Sequence, residues 1–115
     1  MFKSAKKSPA QKSGPPPQVW RQGDVFIISA DEIPADAVPR RPVLAEGEVT
    51  GHAHRLDSSE RAVVMGNNSG LFLRVFGDDV TVTHEEHGPV TVPRGDYIVR
   101  IQREYHPVEI RRVID

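Results

Sequence analysis

The chain contains no cysteine. That excludes a disulfide framework, a thiolate zinc site, an iron–sulfur cluster and a cysteine nucleophile. Any bound metal must be held by nitrogen and oxygen. No apolar run is long enough to span a bilayer. The basic N-terminus lacks the apolar core of a secretory signal. The expectation is a soluble, cytoplasmic protein with no membrane partner. The Walker loop, the dinucleotide fingerprint, H-E-x-x-H and G-x-S-x-G are all missing. Lysine is missing after residue 12.

What is present is unevenly placed. All four lysines (Lys3, Lys6, Lys7 and Lys12) lie at the start, so residues 1–17 carry +4 and the rest −5. That segment ends in Pro15-Pro16-Pro17 and holds little apolar surface. It cannot offset its ordering entropy by burial, and it reads as a disordered basic tail. Residues 18–115 then form a single domain, long enough to bury a modest core without a staple. The lysine tail and the arginines make RNA a candidate partner. The acidity of the body argues against a broad nucleic-acid face. Oligomeric state is open.

The body reads as all β, a small antiparallel barrel or sandwich. Val19–Ile28 carries a Gly23-Asp24 turn, and residues 31–42, with three prolines, read as a surface loop. Val43–Ala45 and Val49-Thr50 flank Glu46-Gly47-Glu48 as a bent strand pair. Short strands follow at 61–65, 71–76, 80–84 and 90–92. Turns at Gly66–Gly70, Gly77–Asp79 and Pro93–Asp96 separate them. Residues 97–105 form the longest strand, with Tyr97, Val99, Ile101, Arg103 and Tyr105 on one face. The segment 107–115 reads equally as a helical turn or an edge strand.

Four of the five histidines come in two pairs, Gly51-His52-Ala53-His54 and His84-Glu85-Glu86-His87. Residues i and i+2 of a strand share a face, so His52 and His54 project two imidazoles together. Neutral imidazole is a common metal ligand, and His84 or His87 from a neighbouring hairpin would complete a nitrogen shell. Glu85 and Glu86 would serve as general base, as partners of the ligands, or as an added carboxylate that suits manganese or iron as well as zinc. A helical reading of His84–His87 is opposed by Gly88-Pro89.

The stretch Glu46-Gly47-Glu48-Val49-Thr50-Gly51-His52-Ala53-His54 resembles the first motif of the cupin family, with Glu60 in the place of its glutamate and Pro93-Arg94-Gly95 in the place of its second motif. The spacers around the first motif differ by about a residue, and Ile98 stands where the third histidine would be. The resemblance implies a small double-sheet barrel with a divalent metal inside, which would need His84 or His87 as the substitute ligand. GHAHR, HEEHGP, P-x-G-x-Y and QREY-x-P also resemble a family of small uncharacterised bacterial proteins, which implies no activity. A second cluster, Arg103-Glu104-Tyr105-His106, offers an arginine for an anion and a tyrosine for proton transfer.

Three functional classes follow. The first is a metal-assisted hydrolase of a phosphodiester or similar bond, with His52, His54, His84 and His87 as ligands and His54, Glu85, Glu86, Arg103 and Tyr105 in the chemistry. The second is a metal-independent ribonuclease or RNA-binding module that uses histidines as acid and base with Arg55 or Arg103 on the phosphate. The third is a non-enzymatic subunit that docks through the edge of the long strand or through residues 34–42.

Overall fold

The computed structural model describes residues 17–47 and 50–102. The basic tail, all but Pro17 of residues 1–17, and the 103–115 segment lie outside these. Eight strands run in order: β1 (Val19–Gln22), β2 (Val25–Ala30), β3 (Val38–Pro39), β4 (Val43–Glu46), β5 (Ala53–Leu56), β6 (Ala62–Asn67), β7 (Gly70–Thr83) and β8 (Val90–Ile101). They form one antiparallel sheet, ordered β1-β2-β8-β7-β5-β4, with β6 on β7 and β3 on β6. The sheet is not closed: β1 and β4 stand at its two ends. No helix among the described residues is long and apolar enough to cross a membrane.

The frame is the long β7–β8 hairpin. Its register shifts between Val75 and Asp79, and the shift changes which residues point inward. Before it, Leu73 and Val75 are buried; after it, Val80 and Val82 are. In β8, Val92 is buried on one side of the break, and Tyr97, Val99 and Ile101 on the other. A strand's side chains alternate with period two, so the irregularity is what keeps one core on one face through the bend. This corrects two expected turns: Gly77–Asp79 and Pro93–Asp96 lie inside continuous strands. Gly95, at φ +153°, adopts a backbone that side-chain-bearing residues rarely take. Pro93 faces β7 at Asp79, and β2 pairs only with Asp96–Ile101.

The bend gives the hairpin two sets of neighbours. Leu71–Val75 and Gly95–Val99 pair with each other beside β6, with β2 on the Asp96–Ile101 side. Farther along, Val82 and Thr83 carry β5, and β4 lies beyond it. Between the two groups sits the main core, which includes Val25, Ile27, Leu44, Leu73, Val80 and Val92, with Trp20 packed against it. Trp20 meets Tyr97 edge to face at 5.6 Å.

Residues 31–42 do more than cross the surface. Val38 and Pro39 pair with Met65 and Gly66, and Ile33 and Ala37 bury a second apolar cluster against Phe72. Of the long strand, Asp96–Ile101 pairs with β2 on one side, and much of that stretch with β7 on the other, so this part offers no free edge; residues 103–105 lie outside the described residues.

Because Leu73 is fully buried at the centre of the bent hairpin, Leu73→Ala should lower stability by about 2–5 kcal/mol. Val19→Ala, on a half-exposed side chain, should change it by less than about 0.5 kcal/mol. Urea unfolding followed by Trp20 fluorescence measures both.

Candidate functional site

The four paired histidines meet. His52 immediately precedes β5, His54 lies within it, and His84 and His87 lie in the β7–β8 connection. β5 pairs with the end of β7 at Thr83, which brings segments about thirty residues apart into one place. His84 is the hub. Its ring centroid is 4.2 Å from that of His54, 4.7 Å from His87 and 5.8 Å from His52. His54 and His87 are stacked at 6.0 Å. Four imidazoles around a tetrahedral ion, with metal–nitrogen bonds of about 2.0–2.1 Å, would place ring centroids about 5 Å apart. The observed spacings straddle that value.

One bond, made by Gln22, fixes the inner histidine. Gln22 sits at the end of β1 and is 2% exposed. Its amide nitrogen donates to the carbonyls of Val82 (3.0 Å) and Gly88 (2.8 Å). With both N–H groups so committed, its Oε1 must face His54 Nδ1, 2.7 Å away. An amide oxygen only accepts, so His54 carries its proton on Nδ1, and the lone pair of the neutral ring is on Nε2. Metal-ligating histidines characteristically donate their other ring nitrogen to such an oxygen. His52 has a looser neighbour, its Nδ1 lying 3.4 Å from Glu86 Oε2 as an ion-pair contact.

His84 is set the other way. The Glu86 N–H donates to its Nδ1 at 3.0 Å, so a neutral His84 carries its proton on Nε2. Ligation through Nδ1 would cost that bond, about 0.5–1.5 kcal/mol. His87 packs against the β1–β2 turn. Gly23 there has φ +60°, and a Cβ on it would fall 2.6 Å from His87 Nε2. Both the turn and the close approach require glycine.

Glu85 braces the site. Its two carboxylate oxygens accept from the Ala53 N–H and from Arg55, each at 2.9 Å. These bonds, the backbone one foremost, hold its pKa down at about 2. His52, His84 and Glu85 each offer a ligand atom within 4.8 Å of the others, but both Glu85 oxygens are already engaged. So weak a base is poorly matched to proton abstraction near neutral pH. The histidines open into a cleft of about 420 Å³ whose lining includes Arg21, Asp24, Glu46, Thr50 and Glu86.

The remaining expectations are placed as follows. Arg55 is tied to Glu85. Glu60 is exposed in a turn after β5. Ile98 packs against the second apolar cluster. Arg103 and Tyr105 lie outside the described residues. Sequence reasoning missed Gln22. Its signal was a polar residue two positions after Trp20, hence on the inward face of β1.

A domain of unknown function, DUF8820, matches residues 21–102, more than half of the chain. The chain belongs to the DUF8820 family. No curated protein and no solved structure matches it. The matched region of this DUF8820 chain contains Gln22 and all four clustered histidines.

Three outcomes follow from this wiring. Gln22→Ala strips partners from two carbonyls and from His54, and should cost about 2–4 kcal/mol. In the intact protein, long-range nitrogen–proton NMR above the ordinary histidine pKa should find His54 in the Nδ1–H form. Glu85 has a lower pKa folded than free, so its contribution to stability is complete above about pH 4.5 and lost as pH falls toward 2. The stability gap between the wild type and Glu85→Gln should therefore narrow over that interval, as read by unfolding at a series of pH values.

Proposed function

We propose that this DUF8820 domain binds a divalent transition metal at the histidine cluster and uses it in hydrolysis. The observation that carries the reading is the convergence of four imidazoles from two distant segments, one of them with Nδ1 anchored on Gln22. His52 and His54 offer Nε2, with their Nδ1 atoms directed to Glu86 and Gln22. His84 and His87 complete the shell. With imidazole ligands and no thiolate, zinc is the best fit, and manganese or iron become alternatives if a carboxylate joins. A bound ion of this kind supplies a water ionisable near pH 7 and a positive centre for a phosphoryl or carbonyl oxygen. Glu86, beside His52 at the mouth of the cleft, is the carboxylate placed to take a proton, whereas Glu85 orients the β5 backbone.

One observation favours a second reading. His54 and His84 hold opposite tautomers with ring centroids 4.2 Å apart. One neutral ring then presents a lone pair at Nε2 and the other an N–H, which is an acid–base pair without a metal.

Titration of the full-length protein with zinc should show about one equivalent bound. His52→Ala and His54→Ala should each weaken binding by about ten- to a hundredfold or more, since even disturbing a ligand's partner costs that much. Hydrolysis of a chromogenic phosphodiester should be abolished by a chelator and restored by zinc. Less than about a tenth of an equivalent bound would contradict the metal reading, and turnover unaffected by the chelator would favour the acid–base pair.

A further inference from the structure

A second cleft lies beside the β6–β7 turn, on the other side of Ile101 from the histidines. Its volume is about 660 Å³, within the range of about 300–1,000 Å³ typical of small-molecule sites. Its apolar lining includes Leu44, Leu71, Phe72 and Ile98. Arg40, Arg100 and the polar turn at Asn67–Gly70 complete it. Among the described residues no aspartate or glutamate lines this cleft, although the chain holds more acidic than basic residues. The histidine cleft is the opposite, with Asp24, Glu46 and Glu86 in its walls.

Arg40 stands apart from the other described arginines. Arg41, Arg55, Arg61, Arg74 and Arg94 are each paired with a carboxylate. Arg21 bonds the Gly23 carbonyl, and Arg100 also has a partner. Arg40 is exposed and forms no ion pair with any described residue, while its backbone is held and its side chain lies against Gly66. Its backbone N–H donates to the Val64 carbonyl at 2.7 Å, and its guanidinium lies against Gly66, where a Cβ would fall 2.8 Å from Arg40 Nε. An exposed guanidinium without a carboxylate, at the edge of a cleft lined by no described acid, matches one kind of occupant. Arginine binds carboxylate or phosphate through two parallel hydrogen bonds.

We propose that this cleft binds a small soluble organic anion, with its carboxylate or phosphate on Arg40 and its apolar body over Leu44 and Leu71, which share Arg40's face of the sheet. The site is independent of the histidine cluster and does not require a metal.

Phenyl phosphate and benzoate are the probes, with inorganic phosphate as the head alone and benzyl alcohol as the body alone. Each is titrated into the full-length protein and followed by amide NMR. At least one of the two aryl anions should shift the amides of Asn68–Leu71 and bind about tenfold or more tighter than either fragment. Arg40→Ala should weaken that binding about tenfold or more. Gly66→Ala, which keeps the arginine but displaces its guanidinium, should weaken it too, with the melting temperature of each variant confirming the fold. His52→Ala should leave it unchanged, so failure here and failure of the metal reading are separable. The proposal is overturned if neither aryl anion shifts these amides up to about 10 mM. It is overturned equally if benzyl alcohol binds as well as the anions, if Arg40→Ala binds normally, or if only anionic vesicles bind.

Discussion

The histidine site, and the tie of β1 to the distant strands, depend on a single amide, that of Gln22. The sheet is open, with β1 and β4 as its ends, and no backbone ladder joins them. Gln22 links β1 to the far side of the sheet through side-chain bonds to Val82, Gly88 and His54. A buried amide is costly unless all its groups are matched, and here donors and acceptor all find partners. Those partners also leave it only one orientation, and that orientation dictates the tautomer of His54. Closure of the molecule and preparation of the histidine cluster are thus one set of bonds.

The bent hairpin explains why the site lies where it does. β7 serves β6 with its first half and β5 with its last residues, so the β7–β8 connection is carried to the edge of the group that contains β5. The connection cannot pack as an element. It is short, polar and closed by Gly88-Pro89. It is held instead by Glu85 on the Ala53 N–H and Arg55, and by the Glu86 N–H on His84. These contacts are largely exposed, and each contributes little alone. Together they fix a loop whose own apolar content could not.

Much of this was legible in the residues. The alternation of Val80–Thr83 and Tyr97–Ile101 marked real strands, and the two histidine pairs marked the place where segments converge. What misled was punctuation. Gly77-Asp78-Asp79 and Pro93-Arg94-Gly95-Asp96 have turn composition, but they absorb a register change inside two continuous strands. The inward set passes from Leu73 and Val75 to Val80 and Val82, and a phase slip of that kind looks like the end of one strand and the start of another. The prolines of 31–42 concealed Ile33 and Ala37, whose burial depends on a sheet face that no local pattern reveals. Gln22 showed only as a polar residue on the inward face of β1, since its partners are thirty-two to sixty-six residues away along the chain.

The two clefts divide the charge of the molecule. One gathers imidazoles and carboxylates, the chemistry of a cation; the other gathers arginines over an apolar floor. For the first, the most direct test is X-ray absorption of the zinc-loaded, full-length protein. The account predicts a shell of nitrogen and oxygen at about 2.0–2.1 Å with the multiple-scattering signature of at least three imidazoles. A shell of water and carboxylate oxygens with one imidazole or none would contradict it.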